Sequence, residues 1–500
     1  MKTRSWMRIV AITLFAALAI PVQSVAQHTR YKLIDLGTLG GPNNFGAISQ
    51  GVGLQVLNNR GIVTGSADTA TPDPNAPNCP NYPDRFVSHA FRWDNGTMTD
   101  LGALPGVNNS FGNWLSANGL ISGFSQNGEI DPLTGLPEDR AVFWNRDGRM
   151  VPIGTFGGNE SFANAVNTRG QVVGFATNAI PDPFNTAPNL YSLGTQMHAF
   201  LWEKGKMRDL GTLGGPDSTA FWVNEAGQVA GFSYTSSIPN LITGVPPTHP
   251  FLWENGKMRD LGTIGGTVLT DLPGLNERGQ VIGEMTTADE QGTHPFFWDG
   301  KQLMDLGTFG GDHANANSLN NKGEVVGESS YAALCPEAGG GQITHAYLWR
   351  NGVKTDLGAF PGIDPLNELS TAWWINSKTQ IVGIAATCDF SVFGAFLWDK
   401  GSMVDLNTLI PPNAIHLFLA TYIDDRGEIT GFSVLPNGDQ HVFLLIPCGA
   451  GTEGCENEVT SATTARRSNS TLTEAQRLAI RRTMARTRFV RIPGLRAPKD

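Results

Sequence analysis

Between residues 212 and 262 the chain reads as four short apolar runs separated by polar turns: "AFWVN" and "QVAGFS" joined by "EAG", then "HPFLW" and "KMRDLG" joined by "ENG". Asn and Gly in connections this short adopt the positive φ that tight hairpins require, so the unit predicts four antiparallel strands, A to D. In strand C, His249, Phe251 and Trp253 alternate with Pro250 and Leu252, and both faces are apolar. Both faces must therefore be covered.

The unit is copied. The end of strand D and its exit recur as "DLGTLGG" at 35, "DLGALPG" at 100, "PIGTFGG" at 152, "DLGTLGG" at 209, "DLGTIGG" at 260, "DLGTFGG" at 305, "DLGAFPG" at 356 and "DLNTLIP" at 405. Strand C recurs as "HAFRW" at 89, "AVFW" at 141, "HAFLW" at 198, "HPFLW" at 249, "HPFFW" at 294, "HAYLW" at 345, "GAFLW" at 394 and "HVFLL" at 441. A two-sided apolar sheet repeated in this way predicts a β-propeller, in which each blade packs on its two neighbours. A parallel β-helix fits less well, because its coils are about half this length and lack two tight hairpins per repeat. The array opens on a lone strand D, "YKLIDLG" at 31, and stops on a strand C, "HVFLLI" at 441. If the first strand completes the last blade, eight whole blades close into a ring with no sheet edge left open. The expectation is an all-β, eight-bladed propeller over 27–447, with a 448–500 tail.

The A–B turns are short and uniform: "NNRG" at 58, "SANG" at 116, "NTRG" at 167, "NEAG" at 224, "NERG" at 276, "NNKG" at 320, "NSKT" at 376 and "DDRG" at 424. The B–C loops are long and differ in every copy, as at 67–88, 125–140 and 177–197. In an up-and-down blade the B–C and D–A connections share one face, so recognition is expected there.

Residues 1–26 stand apart. "MKTRSWMR" is basic, "IVAITLFAALAIPV" is apolar and "SVA" supplies small residues, which together predict a signal peptide cleaved near Ala26 and export to the periplasm or beyond. The apolar run is shorter than the roughly 20 residues of a membrane span and contains Pro21. Residues 27–465 hold 22 basic and 43 acidic groups, whereas 466–500 hold ten Lys/Arg against Glu474 and Asp500. A nucleic-acid binder would carry its positive charge on the folded body, so that class is set aside. Of five cysteines, Cys448 and Cys455 bracket a short loop and form a candidate disulfide; Cys335 and Cys388, in corresponding loops of adjacent repeats, form a weaker one, leaving Cys79 over. None has the spacing of a zinc site.

The repeated histidines and the Asp of each "DLG" are separated around a ring, so the sequence assigns them structural work, the Asp accepting hydrogen bonds where strand D leaves the sheet. Residues that break the repeat near the channel mouth are better ligand candidates: Glu160, Asp217, Asp312, His313, Asp364 and His416. The acidic loop Glu129, Asp131, Glu138 and Asp139 is a weak calcium candidate without EF-hand spacing. No nucleophile elbow, HExxH or Walker A pattern is present, and "GAGTEG" at 449 opens no helix of a βαβ unit, so no catalytic residue, cofactor or metal is assigned. "TEAQRLAIRRTMARTR" at 473 predicts a basic helix capped by Thr473, poised to dock on the acidic propeller or on an anionic surface.

With "HAFLWENGKMRDLGTLGG" and "N-x-x-GQVVG" written out, the array over about 31–445 resembles the HAF family of extracellular repeat proteins. The resemblance implies a bacterial exported protein, no assigned activity and no catalytic residues to carry over; some members end in a sorting segment with a hydrophobic helix, where this chain has a basic tail. The leading reading is an exported, monomeric, non-enzymatic propeller that binds a glycan, peptide or envelope partner on its B–C/D–A face. The alternatives are a polysaccharide lyase or hydrolase with an acidic channel mouth, or a purely structural envelope protein. A funnel with two carboxylates about 5 to 10 Å apart would favour the enzyme, and a dry or carboxylate-poor one the binder.

Overall fold

A computed structural model describes residues 29–46, 54–76, 85–182, 184, 193–335, 341–360, 367–412, 414–449, 455 and 472–486, with side chains of the last segment to Ile480. The expected signal peptide, Cys79, Asp364 and much of the 448–500 tail lie outside the described residues.

Eight four-stranded antiparallel sheets form the ring. Blade four is representative: Ser218–Val223 (A), Val229–Tyr234 (B), Thr248–Glu254 (C) and Lys257–Asp260 (D), each strand paired with the next. Its strand C buries Phe251 completely and Leu252 and Trp253 nearly so, as expected of a sheet covered on both faces. The glycine of each "VxG" in strand B makes room for that packing. A Cβ on Gly231 would lie 2.0 Å from the Thr219 carbonyl oxygen and 2.6 Å from the Phe251 ring, so nothing larger fits.

Closure is as the chain ends imply. The N-terminal strand Tyr31–Asp35 pairs antiparallel with Gln440–Pro447, strand C of blade eight, in the register Tyr31 to Pro447 and Asp35 to Phe443. The first strand thus takes position D of the last blade, and Tyr31 is buried there.

Strand A carries a feature that periodicity does not announce. In blades two, three, four, six, seven and eight its pairing slips by one residue, between Gly112 and Trp114, Ala163 and Ala165, Ala220 and Trp222, Ala316 and Ser318, Ala372 and Trp374, and Ala420 and Tyr422. A bulge twists the strand and re-aims the side chains after it. Trp114 of blade two meets Trp222 of blade four edge-on at 4.7 Å, across an intervening blade. Trp374 of blade seven packs against the same cluster from the far side of the ring and meets Tyr422 of blade eight at 4.4 Å with the rings tilted by 36°. The centre of the ring is therefore filled by aromatic side chains.

Two disulfides are formed, Cys335–Cys388 between the loops of blades six and seven, and Cys448–Cys455 after the last strand. Helix α1, Glu474–Arg486, lies over blade eight. Thr473 caps it: its Oγ1 accepts the Gln476 N–H at 3.1 Å while its own N–H donates to Gln476 Oε1 at 2.9 Å, a reciprocal capping box. Ile480 is buried in the propeller core, and Gln476 Nε2 donates to the Val434 carbonyl. Among the described residues the dock uses an apolar residue and amides. Among the described residues no helix is long and apolar enough to cross a membrane.

Candidate functional site

The two faces of the ring are built differently. On the A–B face the first residue of six of the eight turns reaches the next blade, and in blade two Asn118 Nδ2 takes over by donating to the Thr168 carbonyl. Asn167 Nδ2 donates to the Asn224 carbonyl at 3.0 Å, Asn224 to Asn276 at 3.1 Å, Asn276 to Asn320 at 3.0 Å, Asn320 to Asn376 at 3.1 Å and Asn376 to Asp424 at 2.9 Å. Asn58 reaches Ser116 in the same way, and the seam between blades eight and one is bonded by the Asp425 N–H and Asn59 Oδ1 at 3.1 Å. Each amide oxygen also accepts N–H groups of its own turn, as Asn276 Oδ1 does from Arg278 and Gln280. An amide offers an acceptor for its own turn and, on a separate atom, a donor long enough to reach the neighbouring turn. Uniform turns on this face therefore mean a hydrogen-bonded girdle.

On the B–C/D–A face, six His–Asp pairs stand around the rim: His89–Asp100, His198–Asp209, His249–Asp260, His294–Asp305, His345–Asp356 and His441–Asp35, with Nδ1 to carboxylate distances of 2.8–2.9 Å. Each Asp also accepts the N–H two residues on, as Asp260 does from Gly262 at 2.8 Å. The hydrogen bond to Asp209 holds the His198 imidazole above its ordinary pKa against the opposing effect of burial. Burial pushes the Asp209 carboxyl up, but the bonds from His198 and the Gly211 N–H prevail and hold it below the usual range. These pairs tie strand C to strand D, in keeping with the structural assignment of both residues.

The candidate ligand residues lie at seams between blades and are spread around the ring. Glu160 Oε2 accepts the Asp139 N–H at 2.7 Å and Asp217 Oδ1 the Met197 N–H at 2.8 Å, each clasping strand C of the preceding blade. Asn109 and Asn43 make the same clasp on Ser88 and Gln440. Burial, then repulsion from Asp139, pushes Glu160 up to about 9; burial pushes Asp217 up to about 7. Asp312 exchanges hydrogen bonds with the Gln342 amide at 3.0 Å, and His313 Nδ1 lies 3.3 Å from Thr293 Oγ1 in the blade before it. His416 Nε2 donates to the Phe393 carbonyl at 3.0 Å, and burial holds its pKa down at about 4, so it is neutral.

Asp217 lies near Asp182, His198 and Tyr234, and Glu160 joins a larger acidic constellation. Asp131, Glu138 and Asp139 from the loop of blade two converge near it, with Arg140 bonded to Glu138 Oε2 at 2.6 Å and Asn159 Nδ2 to Asp131 Oδ1 at 3.0 Å. Burial lifts the Asp139 carboxyl to about 7. Glu129 stays exposed. Among the described residues no three His, Cys, Asp or Glu side chains are placed to hold a metal ion.

Two B–C loops share a build that neither strand pattern nor candidate chemistry foretells. "DPLTGLP" at 131–137 in blade two and "NLITGVP" at 240–246 in blade four align residue for residue. In the first, the Asp131 N–H donates to the Leu136 carbonyl, Gly135 to the Asp131 carbonyl and Leu133 to Asp131 Oδ1, at 2.8–2.9 Å. In the second, Asn240, Gly244 and Ile242 repeat the three bonds on Val245, Asn240 and Asn240 Oδ1, at 2.7–2.9 Å. Gly135 and Gly244 take the positive φ the turn needs, +72° and +73°. Each loop is a rigid finger, and each leaves its apolar tip in solvent: Leu133 at 60% exposure, Ile242 at 70% and Leu241 at 103%.

No protein-family model matches the chain, and no curated protein does. Among solved structures it is similar to the β-propeller domain of the Trilobed protease from Pyrococcus furiosus, at 10% identity over 77% of this chain and 100% of that one, with a TM-score of 0.40. The Dos1 propeller is similar at 11% identity, covering 83% of this chain and 95% of that one, with a TM-score of 0.40. A PL25 ulvan lyase is similar at 10% identity over 66% and 90%, with a TM-score of 0.32. These likenesses are of propeller architecture, and no residue role passes from them to this chain.

Proposed function

We propose that this chain is an exported, non-enzymatic propeller whose B–C/D–A face binds an extracellular or envelope partner. The contrast between faces carries the reading: the A–B face is closed by a girdle of amide hydrogen bonds, while the opposite face presents two preorganised fingers with apolar tips. Rigid display cuts the ordering cost of association, which is what a recognition loop requires. The resemblance of the repeats to HAF proteins and the signal-like residues 1–26 support export.

A glycan-cleaving reading meets less support. The centre of the ring is filled by Trp114, Trp222, Trp374 and Tyr422. Glu160 and Asp217 each commit one oxygen to a backbone N–H group at a blade seam.

Glycan and peptide arrays probed with the chain from Gln27 test the proposal. The control is a variant in which residues 127–138 and 236–246 are replaced by the short "LPNGD" hairpin of blade eight. Retention that disappears in the variant is the expected result; a ligand held equally by both chains, or turnover of an arrayed glycan, would refute it.

A further inference from the structure

The fingers and helix α1 lie on the same face, because B–C loops all emerge on one side of the ring and α1 is seated on the B–C hairpin of blade eight. Thr473 Oγ1 donates to the Pro436 carbonyl and Gln440 Nε2 to the Ala479 carbonyl, on either side of the tip of that hairpin. The helix carries Arg477, Arg481, Arg482 and Arg486 against the single acid Glu474, and four more basic residues stand between 487 and 499. A chain whose body is strongly acidic thus seats the helix that opens its basic segment, with Arg477 exposed, on the face where its apolar tips project.

The tips are convex. Leu241 and Ile242 cap a finger with no charged residue from Thr235 to Thr248, and Ile238 at its base is 76% exposed. In blade two Leu133 sits over Gly194 of the next blade's loop, and Ile130 and Ile180 extend the apolar arc across three consecutive blades. A protein partner would need pockets shaped for each tip. A lipid headgroup layer needs none, and an apolar tip joined to a basic segment is the two-part signal that gives stable peripheral attachment.

We infer that the B–C face docks on an anionic lipid surface, with the fingers of blades two and four entering the headgroup region and the α1 arginines neutralising the lipid charge. This deepens the binding reading above and rests on it. Burying an isoleucine or leucine tip strengthens binding about tenfold or more, and each basic residue near the surface by about fivefold. The acidic body is held off by the same charge, so attachment should be oriented, with the A–B girdle facing solvent.

Sedimentation of the chain from Gln27 with phosphatidylcholine vesicles, with and without 30% phosphatidylglycerol, tests this. Two variants are compared: Ile238→Ser with Leu241→Ser and Ile242→Ser, and Arg477→Gln with Arg481→Gln, Arg482→Gln and Arg486→Gln. Wild type should bind the anionic vesicles, the finger variant at least about tenfold more weakly, and the arginine variant without preference for phosphatidylglycerol. Circular dichroism melts should match wild type for both variants, since all the substituted residues lie on the finger and tail segments. An environment-sensitive dye attached through Leu241→Cys, in a Cys79→Ser background, should shift to the blue on binding.

Equal binding by the finger variant, or a dye that stays water-like, overturns the insertion. Indifference of wild type to both vesicles overturns the lipid assignment, and loop-dependent capture on the arrays would then leave the broader binding reading standing. Self-association lost in the finger variant, without vesicle binding, would assign the tips to a second copy instead.

Discussion

Replacing Asn276 with alanine should measure what one link of the girdle contributes. The amide oxygen accepts from Arg278 and Gln280 N–H at 3.0 Å each, and the amide nitrogen donates to the Asn320 carbonyl at 3.0 Å and Gln280 Oε1 at 2.8 Å. Asn276 is buried, at 5% exposure, so water reaches only part of what the truncation leaves unpaired. With the buried Gln280 N–H and the Gln280 Oε1 each losing the bond from Asn276, the Asn320 carbonyl left with the Gly323 N–H alone, and the outer turn N–H rehydrating, the expected loss is about 2–4 kcal/mol. Urea unfolding followed by tryptophan fluorescence should show a lower midpoint at unchanged slope, because no additional surface is exposed on unfolding. Asn276→Asp separates the two roles: the turn keeps its acceptor, but an oxygen now faces the Asn320 carbonyl, so most of the loss should remain at neutral pH and shrink on acidification. Blade eight shows how a carboxylate is tolerated there. Asp424 takes Arg426 Nε at 3.1 Å on its second oxygen, and Asp425 bonds the seam instead. An Ala variant within about 0.5 kcal/mol of wild type, or an Asp variant equal to wild type at pH 7, would refute the inter-blade role.

Glu160→Gln keeps the acceptor for Asp139 N–H but removes the proton. The folded pKa is raised to about 9, so the native state holds the proton longer than the unfolded chain, and stability should fall as pH rises from about 4.5 to 9, by up to about 1.4 kcal/mol per pH unit; the variant should flatten that fall in urea titrations. The His198–Asp209 pair contributes within a window: the raised His198 pKa means its contribution fades as pH climbs above the ordinary His range, and the lowered Asp209 pKa means it fades in strong acid. Asp209→Asn should bring the His198 NMR titration back down, and an unmoved midpoint would show that the pair is not what holds it. Trp222→Ala should cost about 3–5 kcal/mol by removing a plug residue and its 2.8 Å bond to the Leu272 carbonyl, yet leave array retention intact. Opening Cys335–Cys388, which spans 53 residues, should cost about 2–4 kcal/mol in the same unfolding assay, measured as Cys335→Ser with Cys388→Ser.

The architecture was legible because its signals are local and repeated: a strand of period two, a glycine where a ring must pack, an Asp where a turn must be held. The girdle asparagines were legible only as turn formers. Their second bond goes to a residue about one repeat away, and nothing near Asn224 in sequence marks Asn276 as its partner. Glu160 and Asp217 drew attention because they break the repeat in residue type. Set beside Asn43 and Asn109 they keep it in chemistry, each supplying one oxygen to the same clasp. The bulge in strand A hid the aromatic plug, since a single slipped residue turns Trp114 and Trp222 off the face that alternation predicts. The fingers escaped notice because their likeness is to each other, two blades apart, inside loops that otherwise share nothing.

The seam at Tyr31–Asp35 has a consequence in time. During synthesis this strand emerges first, but its partner, Gln440–Pro447, comes some 400 residues later. Seven blades can fold as they appear, each against the one before. The eighth cannot, and until it arrives the earliest strand is an unpaired edge open to pairing with any other chain. The His441–Asp35 bond, which in other blades joins strands eleven residues apart, here records that the two ends have met. A ribosome-bound or truncated chain lacking the last blade is thus the form most exposed to aggregation, and chain completion is the event that removes the hazard.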